Sequence, residues 1–328
     1  MRSLLFVPAD GGAKLEKAFR AGADAMILDL EDSVASARKE EARRSALAFL
    51  KTHRAEEKRP RLYVRINALS TPLAAGDLDV VMTGAPDGIM LPKAGSGGDV
   101  TLLDARLSVR EALHGVEDGA TKIVVLATES AAAIFTLGTY RGASRRLAGL
   151  TWGAEDLGAE TGALETRLDG AWTEPNRLVR SLALFAATAA GVQPIDAVYA
   201  DFRDLDGLKR DCAEGRRFGF LGKLAIHPDQ IEPINEAFTP STEAVARAQA
   251  IVAAFAGAEN AGVTSLDGRM LDIPHLKAAE RLLASIAKPA PAAEEIPETP
   301  SPPDPTPAET EMADSAPPPE EASEKAAD

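Results

Sequence analysis

KIVVLATESAAAIFTLGTYRGASRRLAGLTWGAED, residues 122–156, contains the same pattern twice. A short apolar run, KIVVLAT (122–128) and then LAGLTWG (147–153), gives way to an acid: Glu129 directly after the first, Asp156 just past the second. Runs of this length, rich in β-branched residues and bounded by turn formers, fit buried strands. The pattern recurs in both directions: SLLFVP (3–8), AMILDL (25–30), RLYVRIN (61–67) and GIMLPK (88–93) precede it, and DAVYAD (196–201) and KLAIHP (223–228) follow. Helical stretches such as AKLEKAFRAG, SARKEEARRSALAFLKT, NRLVRSLALFAATAAG and LDGLKRDCAEGRRFG separate the runs, several closing on Gly as helix C-termini do. Eight such units within residues 1–240 predict an α/β chain folded as a (β/α)8 TIM barrel, an architecture of typically about 250 residues. An open doubly wound sheet is the alternative.

The ends of the runs are where the polar residues gather: Asp29, Glu31 and Asp32; Arg65 and Asn67; Lys93; Glu129; Glu155 and Asp156; Asp201; His227. In a barrel these positions converge on the C-terminal mouth, where chemistry is assembled. After Pro240 the period changes to two helical segments, Thr242–Ala258 and Pro274–Ile286, joined by GAENAGVTSLDGRMLD. Residues 241–287 are expected to form a helical lid, too small for a core of its own and packing on its own barrel or a neighbour's.

From Lys288 to Asp328 there are 11 of the 22 prolines, 11 acids, two lysines and no aromatic residue. Such a segment does not bury enough apolar surface to offset its chain entropy and is expected to be a disordered tail. It carries nine of the 14 excess negative charges, leaving residues 1–287 at a net −5. A body near neutrality without a Lys/Arg run lacks the footprint of a nucleic-acid binder. The longest apolar stretch, SLALFAATAAGV (181–192), is too short for a membrane span and reads as a buried helix. The N-terminal run Leu4–Ala9 is too short for a signal-peptide core, so a cytoplasmic location is expected. The one cysteine, Cys212, reads as a packing residue.

No Walker loop, dinucleotide fingerprint, HExxH or CxxC pair is present; AGSGGD (94–99) lacks the Lys-Ser/Thr ending of a phosphate loop and reads as a flexible loop. Carboxylates are the stronger lead. Glu129 and Asp156, on successive strand ends, open onto the same mouth and either share a cation or cap the helices that follow. Two carboxylates with several open positions suit Mg²⁺, which takes oxygen ligands, keeps waters and lets a substrate complete its shell. Arg65, inside an apolar strand, must be paired or face a polar cavity. Its fork fits a substrate carboxylate or a developing enolate oxygen, and the competing reading is a salt bridge to Asp29 or Glu31. Asp29, Glu31 and Asp32 are expected to hold metal-bound waters or to tether Arg65 and Lys93. His227 reads as a structural or supporting residue, and no histidine pair has metal-ligand spacing.

RSLLFVPAD (2–10), GADAMILDLEDSVA (22–35), YVRINAL (63–69), GIMLPKA (88–94), ATESAAAIF (127–135), LTWGAEDLGAETGA (150–163), RFGFLGKLAIHPDQIEPINEAFTPS (217–241) and GRMLDIPH (268–275) together resemble the citrate lyase β-subunit-like branch of the HpcH/HpaI aldolase family. The resemblance runs in order through residues 2–286 and leaves out only the tail. It implies a barrel enzyme, commonly trimeric or hexameric, that uses Mg²⁺ to make or break a carbon–carbon bond between an acyl-CoA and a 2-oxo acid. It also implies Glu129 and Asp156 as metal ligands, Glu129 lying against the substrate, and Arg65 as the holder of the oxo-acid or enolate oxygen. Asp272, in GRMLDIPH, matches a lid acid that completes the site of a neighbouring subunit. Malyl-CoA, β-methylmalyl-CoA and citramalyl-CoA are the substrates implied. Thioester hydrolysis of malyl-CoA, and a role as citrate lyase β subunit within a complex, remain open beside the lyase.

Overall fold

The computed structural model describes residues 1–257 and 262–286. The predicted tail at 288–328, together with 258–261 and 287 of the predicted lid, lies outside the described residues. Eight parallel strands close into a barrel: β1 (Ser3–Pro8), β2 (Ala25–Asp29), β3 (Arg61–Arg65), β4 (Gly88–Leu91), β5 (Lys122–Leu126), β6 (Leu147–Thr151), β9 (Gln193–Asp196) and β10 (Gly222–Ala225). Neighbours are sequential, and β10 returns to β1 through Ser3↔Lys223. Between β6 and β9 lies a two-residue hairpin, β7 (Arg167–Leu168) with β8 (Ala171–Trp172). The surrounding helices are α1 (Ala13–Phe19), α2 (Lys39–His53), α3 (Leu73–Val81), α4 (Gly97–His114), α5 (Ala131–Ile134), α6 (Glu155–Thr161), α7 (Glu174–Ala190), α8 (Leu205–Phe218) and α9 (Ile231–Phe238).

Alternate residues of each strand face inward and outward. Leu4, Ile27, Tyr63, Met90, Val124, Leu126, Ile195 and Leu224 fill the barrel interior, while Leu5, Leu28, Val64, Ile89, Val125 and Leu150 pack under the helices. Each such side chain stabilises the fold by about 1.5–3 kcal/mol before chain entropy is counted. Gly88 is glycine because a methyl group there would overlap the Tyr63 ring and come within 2.8 Å of the Lys122 carbonyl oxygen. Outside the barrel, Asp196 accepts bonds from Trp152 Nε1 at 2.8 Å and from Arg180 Nη2 at 2.6 Å, and buried Lys223 pairs with Asp211 at 2.6 Å. These contacts pin the end of β6, from which Asp156 follows. Cys212 lies buried beside them with its thiol pushed up to about 12 by burial, as a packing residue should.

Four expectations need correction. The seventh barrel strand is Gln193–Asp196, not 196–201: Gln193 and Pro194 pair with Gly149 and Leu150, and the apolar run Ala197–Tyr199 has already left the ladder. AGSGGD is no flexible loop but a helix start. Ser96 Oγ accepts the Gly98 N–H at 3.2 Å, and the Asp99 carboxylate accepts the N–H groups of Gly95 at 2.7 Å and Ser96 at 3.3 Å, a capping box that begins α4. α7 is amphipathic rather than buried, with Ala183, Ala186 and Ala187 inward and Phe185 64% exposed. Finally, the segment after Pro240 has a small core of its own. There α10 (Thr242–Ala256) and α11 (Ile273–Ile286) flank an antiparallel hairpin, β11 (Val263–Leu266) with β12 (Arg269–Asp272), around Ala248, Ile251, Leu271 and Ala279. Asp267 and Gly268 turn the hairpin, both at positive φ.

Candidate functional site at the barrel mouth

β2 and β3 run side by side with Asp29 opposite Arg65. Both face the barrel interior at its C-terminal end, one layer above Ile27 and Tyr63. Asp29 receives Arg65 Nε at 2.7 Å and Nη2 at 2.6 Å, a two-pronged pair, and Arg65 Nη1 lies 3.0 Å from Glu31 Oε2. The guanidinium sits 4.8 Å from the centre of the Phe6 ring. Burial would raise the Asp29 carboxyl, but the bonds from Arg65 outweigh it and hold the group below the usual carboxylate range. The same bonds hold Arg65 charged against its own desolvation. The salt-bridge reading of Arg65 and the mouth-facing reading are therefore both realised: Asp29 aims a guanidinium whose side chain keeps 12% of its surface open.

Lys93 joins this pair to the acids of β5 and β6. Its ammonium contacts Glu31, lies 2.8 Å from Asp32 Oδ2 and stands 3.6 Å from Asp156 Oδ1, while its main-chain N–H donates to Glu129. Glu129 is buried at the end of β5. A methyl group at Gly153 would sit 3.5 Å from its Cγ, so the segment leading to Asp156 runs alongside. Neither side chain makes a capping bond, since Ser130 accepts the Ala133 N–H at the start of α5 and α6 has no side-chain cap, but Asp156 does lie in the first turn of α6, where the helix dipole favours an acid. The structure thus brings Arg65, Asp29, Glu31, Asp32, Lys93, Glu129 and Asp156 together.

The electrostatics describe a place short of positive charge. Burial pushes the Glu129 carboxyl up to about 8, and the charges of Asp156 and Glu31 add to that against the Lys93 N–H. Glu31 Oε2 is buried and meets only Arg65 Nη1, at 3.0 Å and without hydrogen-bond geometry. An oxygen-only donor set of two carboxylates fits a hard divalent ion that keeps most of its positions for water and substrate, which is how Mg²⁺ is held. Among the described residues no three His, Cys, Asp or Glu side chains are placed to hold a metal ion together, so the protein's share of the ligands is the two carboxylates.

Two predicted residues stand apart. Asp272, at the end of β12, is half-exposed and pairs with His275, and no mouth residue is among its hydrogen-bond or ion-pair partners within this chain. His227 caps the turn after β10, its Nδ1 accepting the Asp229 N–H at 3.2 Å, and its ring stacks on Phe202 at 4.8 Å. Its structural reading holds. Sequence reasoning missed the main chain of Lys93, whose positive φ of 50° turns its N–H onto Glu129, and Phe6 beneath the guanidinium. The alternation of β1 was enough to place Phe6 inward, but nothing in LPKA marks a left-handed backbone.

A model of the HpcH/HpaI aldolase/citrate lyase family matches residues 2–228, and one described as a C–C bond lyase of the TIM-barrel fold matches 176–287. The chain is 35% identical over 307 residues to the L-malyl-CoA/beta-methylmalyl-CoA lyase of Rhodobacter capsulatus, covering 88% of this chain and 95% of that one. It is 38% identical over 280 residues to a citrate lyase subunit beta-like protein of Mycobacterium tuberculosis, covering 85% and 93%. The crystal structure of CitE from Mycobacterium tuberculosis in complex with magnesium, acetoacetate and coenzyme A superposes with a TM-score of 0.68 at 34% identity, over 87% of this chain and 97% of that one. No helix among the described residues is long and apolar enough to cross a membrane.

Proposed function

The chain belongs to the HpcH/HpaI aldolase/citrate lyase family, and we propose that its barrel mouth performs the Mg²⁺-dependent cleavage of a 3-hydroxyacyl-CoA, or its formation in reverse. Malyl-CoA, β-methylmalyl-CoA or citramalyl-CoA would yield an acyl-CoA and a 2-oxo acid. The observation that carries this reading is the convergence of Glu129 and Asp156 beside a guanidinium that Asp29 holds in place.

Glu129 and Asp156 would hold the ion, which supplies Lewis acidity toward the hydroxyl and carboxylate of the substrate. Arg65 places fixed positive charge where the thioester oxygen becomes an enolate, and Asp29 keeps it from turning away. The hydroxyl proton passes to a carboxylate, the carbon–carbon bond breaks, and its electron pair moves into the thioester. A proton returned to the resulting carbon gives the acyl-CoA. Mixing the protein with malyl-CoA and Mg²⁺ tests the outcome: glyoxylate with acetyl-CoA is expected, whereas free thiol with malate would make the chain a thioesterase and overturn the lyase reading.

The acid that exchanges the proton is, in this reading, Asp272 from a neighbouring copy in a homotrimer or hexamer. By the period of two, Val263, Met270 and Asp272 share the outer face of the hairpin, while Leu271 points into the small core. Met270 is 72% exposed, and apolar residues are also left bare on the segments that follow β5 and β6, with Phe135 at 90% and Leu164 at 100%. Those faces are suited to cover one another between copies. Co-refolding Asp272→Ala with Glu129→Ala subunits should restore part of the turnover that each lacks alone. No recovery would place the lid acid in its own barrel or outside the reaction. A cytoplasmic location agrees with CoA esters as substrates.

A further inference from the structure

We propose that Lys93 is a positioning residue that works through two separate contacts: its main-chain N–H aims Glu129, and its ammonium is a built-in counter-ion that restrains divalent-ion binding and lends charge to the substrate carboxylate. The inference rests on the metal reading of Glu129 and Asp156 given above.

The geometry is specific. Lys93 holds a left-handed backbone, φ 50°, which residues other than glycine adopt only at a steric cost. That conformation turns the N–H toward Glu129 and sends the side chain back across the mouth. The ammonium meets three carboxylates there, Glu31, Asp32 and Asp156, and its side chain keeps 35% of its surface open, so it is not a core ion pair. The mouth gathers five carboxylates, Asp29, Glu31, Asp32, Glu129 and Asp156, against two cations. Arg65 is committed to Asp29 on two of its nitrogens, whereas the ammonium is shared among its partners. A positive charge 3.6 Å from Asp156 Oδ1 repels any divalent ion that the same carboxylate holds. At water-like screening such a repulsion is worth roughly a tenfold change in affinity.

Lys93→Met removes the charge and keeps the main chain; Lys93→Gln does the same with a polar end; Lys93→Arg keeps the charge. Mg²⁺ binding is read by calorimetry on the substrate-free protein. Both neutral variants should bind Mg²⁺ about tenfold more tightly than the parent, while Lys93→Arg stays within about threefold. In the condensation direction the KM for the 2-oxo acid should rise by a similar factor in the neutral variants, with a smaller change in kcat. Metal affinity that is unchanged or weaker in the neutral variants would overturn the counter-ion role. So would failure of both to fold, because the proposal gives the ammonium no part in holding the barrel. A parent that binds no Mg²⁺, or that binds it equally after Glu129→Ala, would instead remove the metal reading on which the proposal stands.

Discussion

Glu129→Ala and Asp156→Ala each lower turnover at saturating Mg²⁺ by roughly 10³-fold, because either change halves the protein's share of the ion's ligands and opens the rest to water. Initial rates with a malyl-type CoA ester check this, and near-normal rates in both variants would remove the metal assignment. A second readout does not depend on turnover. The folded-state pKa of Glu129, about 8, lies above its ordinary value of 4.5. The metal-free folded chain therefore holds a proton that the unfolded chain releases, and the stability from this group is lost as pH rises from about 4.5 through 8. An ion bound there must displace that proton, so its affinity falls with falling pH. Mg²⁺ is therefore expected to raise the melting temperature more at pH 8.5 than at pH 6.5, and Glu129→Ala should lose both the shift and its pH dependence. Glu129→Gln, uncharged at every pH, should melt at or above the parent at pH 8.5 without metal.

The barrel was legible because a parallel strand buried on both faces leaves a nearly unbroken apolar run, and seven of the eight runs fall on strands. The first of these seven matches its strand, and the other six were read one to three residues too long, since the chain stays buried and apolar past the strand end, as at Ile66 and Ala127, whose N–H groups still bond to the neighbouring strand. The seventh strand was displaced because Pro194 and Gln193 weaken the strand pattern, whereas Ala197–Tyr199 are apolar without pairing. Asp267–Gly268 between alternating residues was a readable hairpin turn, yet the surrounding helical segments drew the whole region into a helical reading. At the site, residue type and strand end were enough to bring Arg65, Glu129 and Asp156 to one mouth. Choosing between the open alternatives was not possible from spacing: which acid Arg65 pairs with depends on register, and whether Glu129 caps a helix depends on Ser130 standing next to it. Asp272 is a different case, because the role proposed for it involves a second chain.

Arg65→Met should lower kcat/KM by roughly 10²–10³-fold, the scale at which one fixed donor to a developing oxyanion acts. It should also cost stability. Asp29 is 1% exposed and Glu31 4%, and removing the guanidinium leaves two buried carboxylates, Asp29 with only the N–H groups of Glu31 and Ser33 and Glu31 with Lys93, a loss of about 3–5 kcal/mol at neutral pH. The sign of the pH dependence separates this from simple loss of packing. In the parent, Asp29 titrates below its ordinary value, so its stabilising contribution is present above the unfolded pKa and is lost as pH falls through the folded one. Without Arg65, burial is opposed only by the N–H groups of Glu31 and Ser33, the folded pKa moves up, and the contribution that the parent holds at high pH shrinks. The deficit of Arg65→Met in chemical denaturation should therefore be largest near pH 8 and shrink toward pH 4, where a packing defect would stay constant. Arg65→Lys divides the two roles. A single ammonium neutralises Asp29 but does not reproduce the fork, which bonds Asp29 through Nε and Nη2 while Nη1 reaches Glu31. It should regain more than half of the lost stability while leaving the rate close to that of Arg65→Met. Recovery of the rate along with the stability would mean that charge alone, and not the aimed guanidinium, serves the reaction.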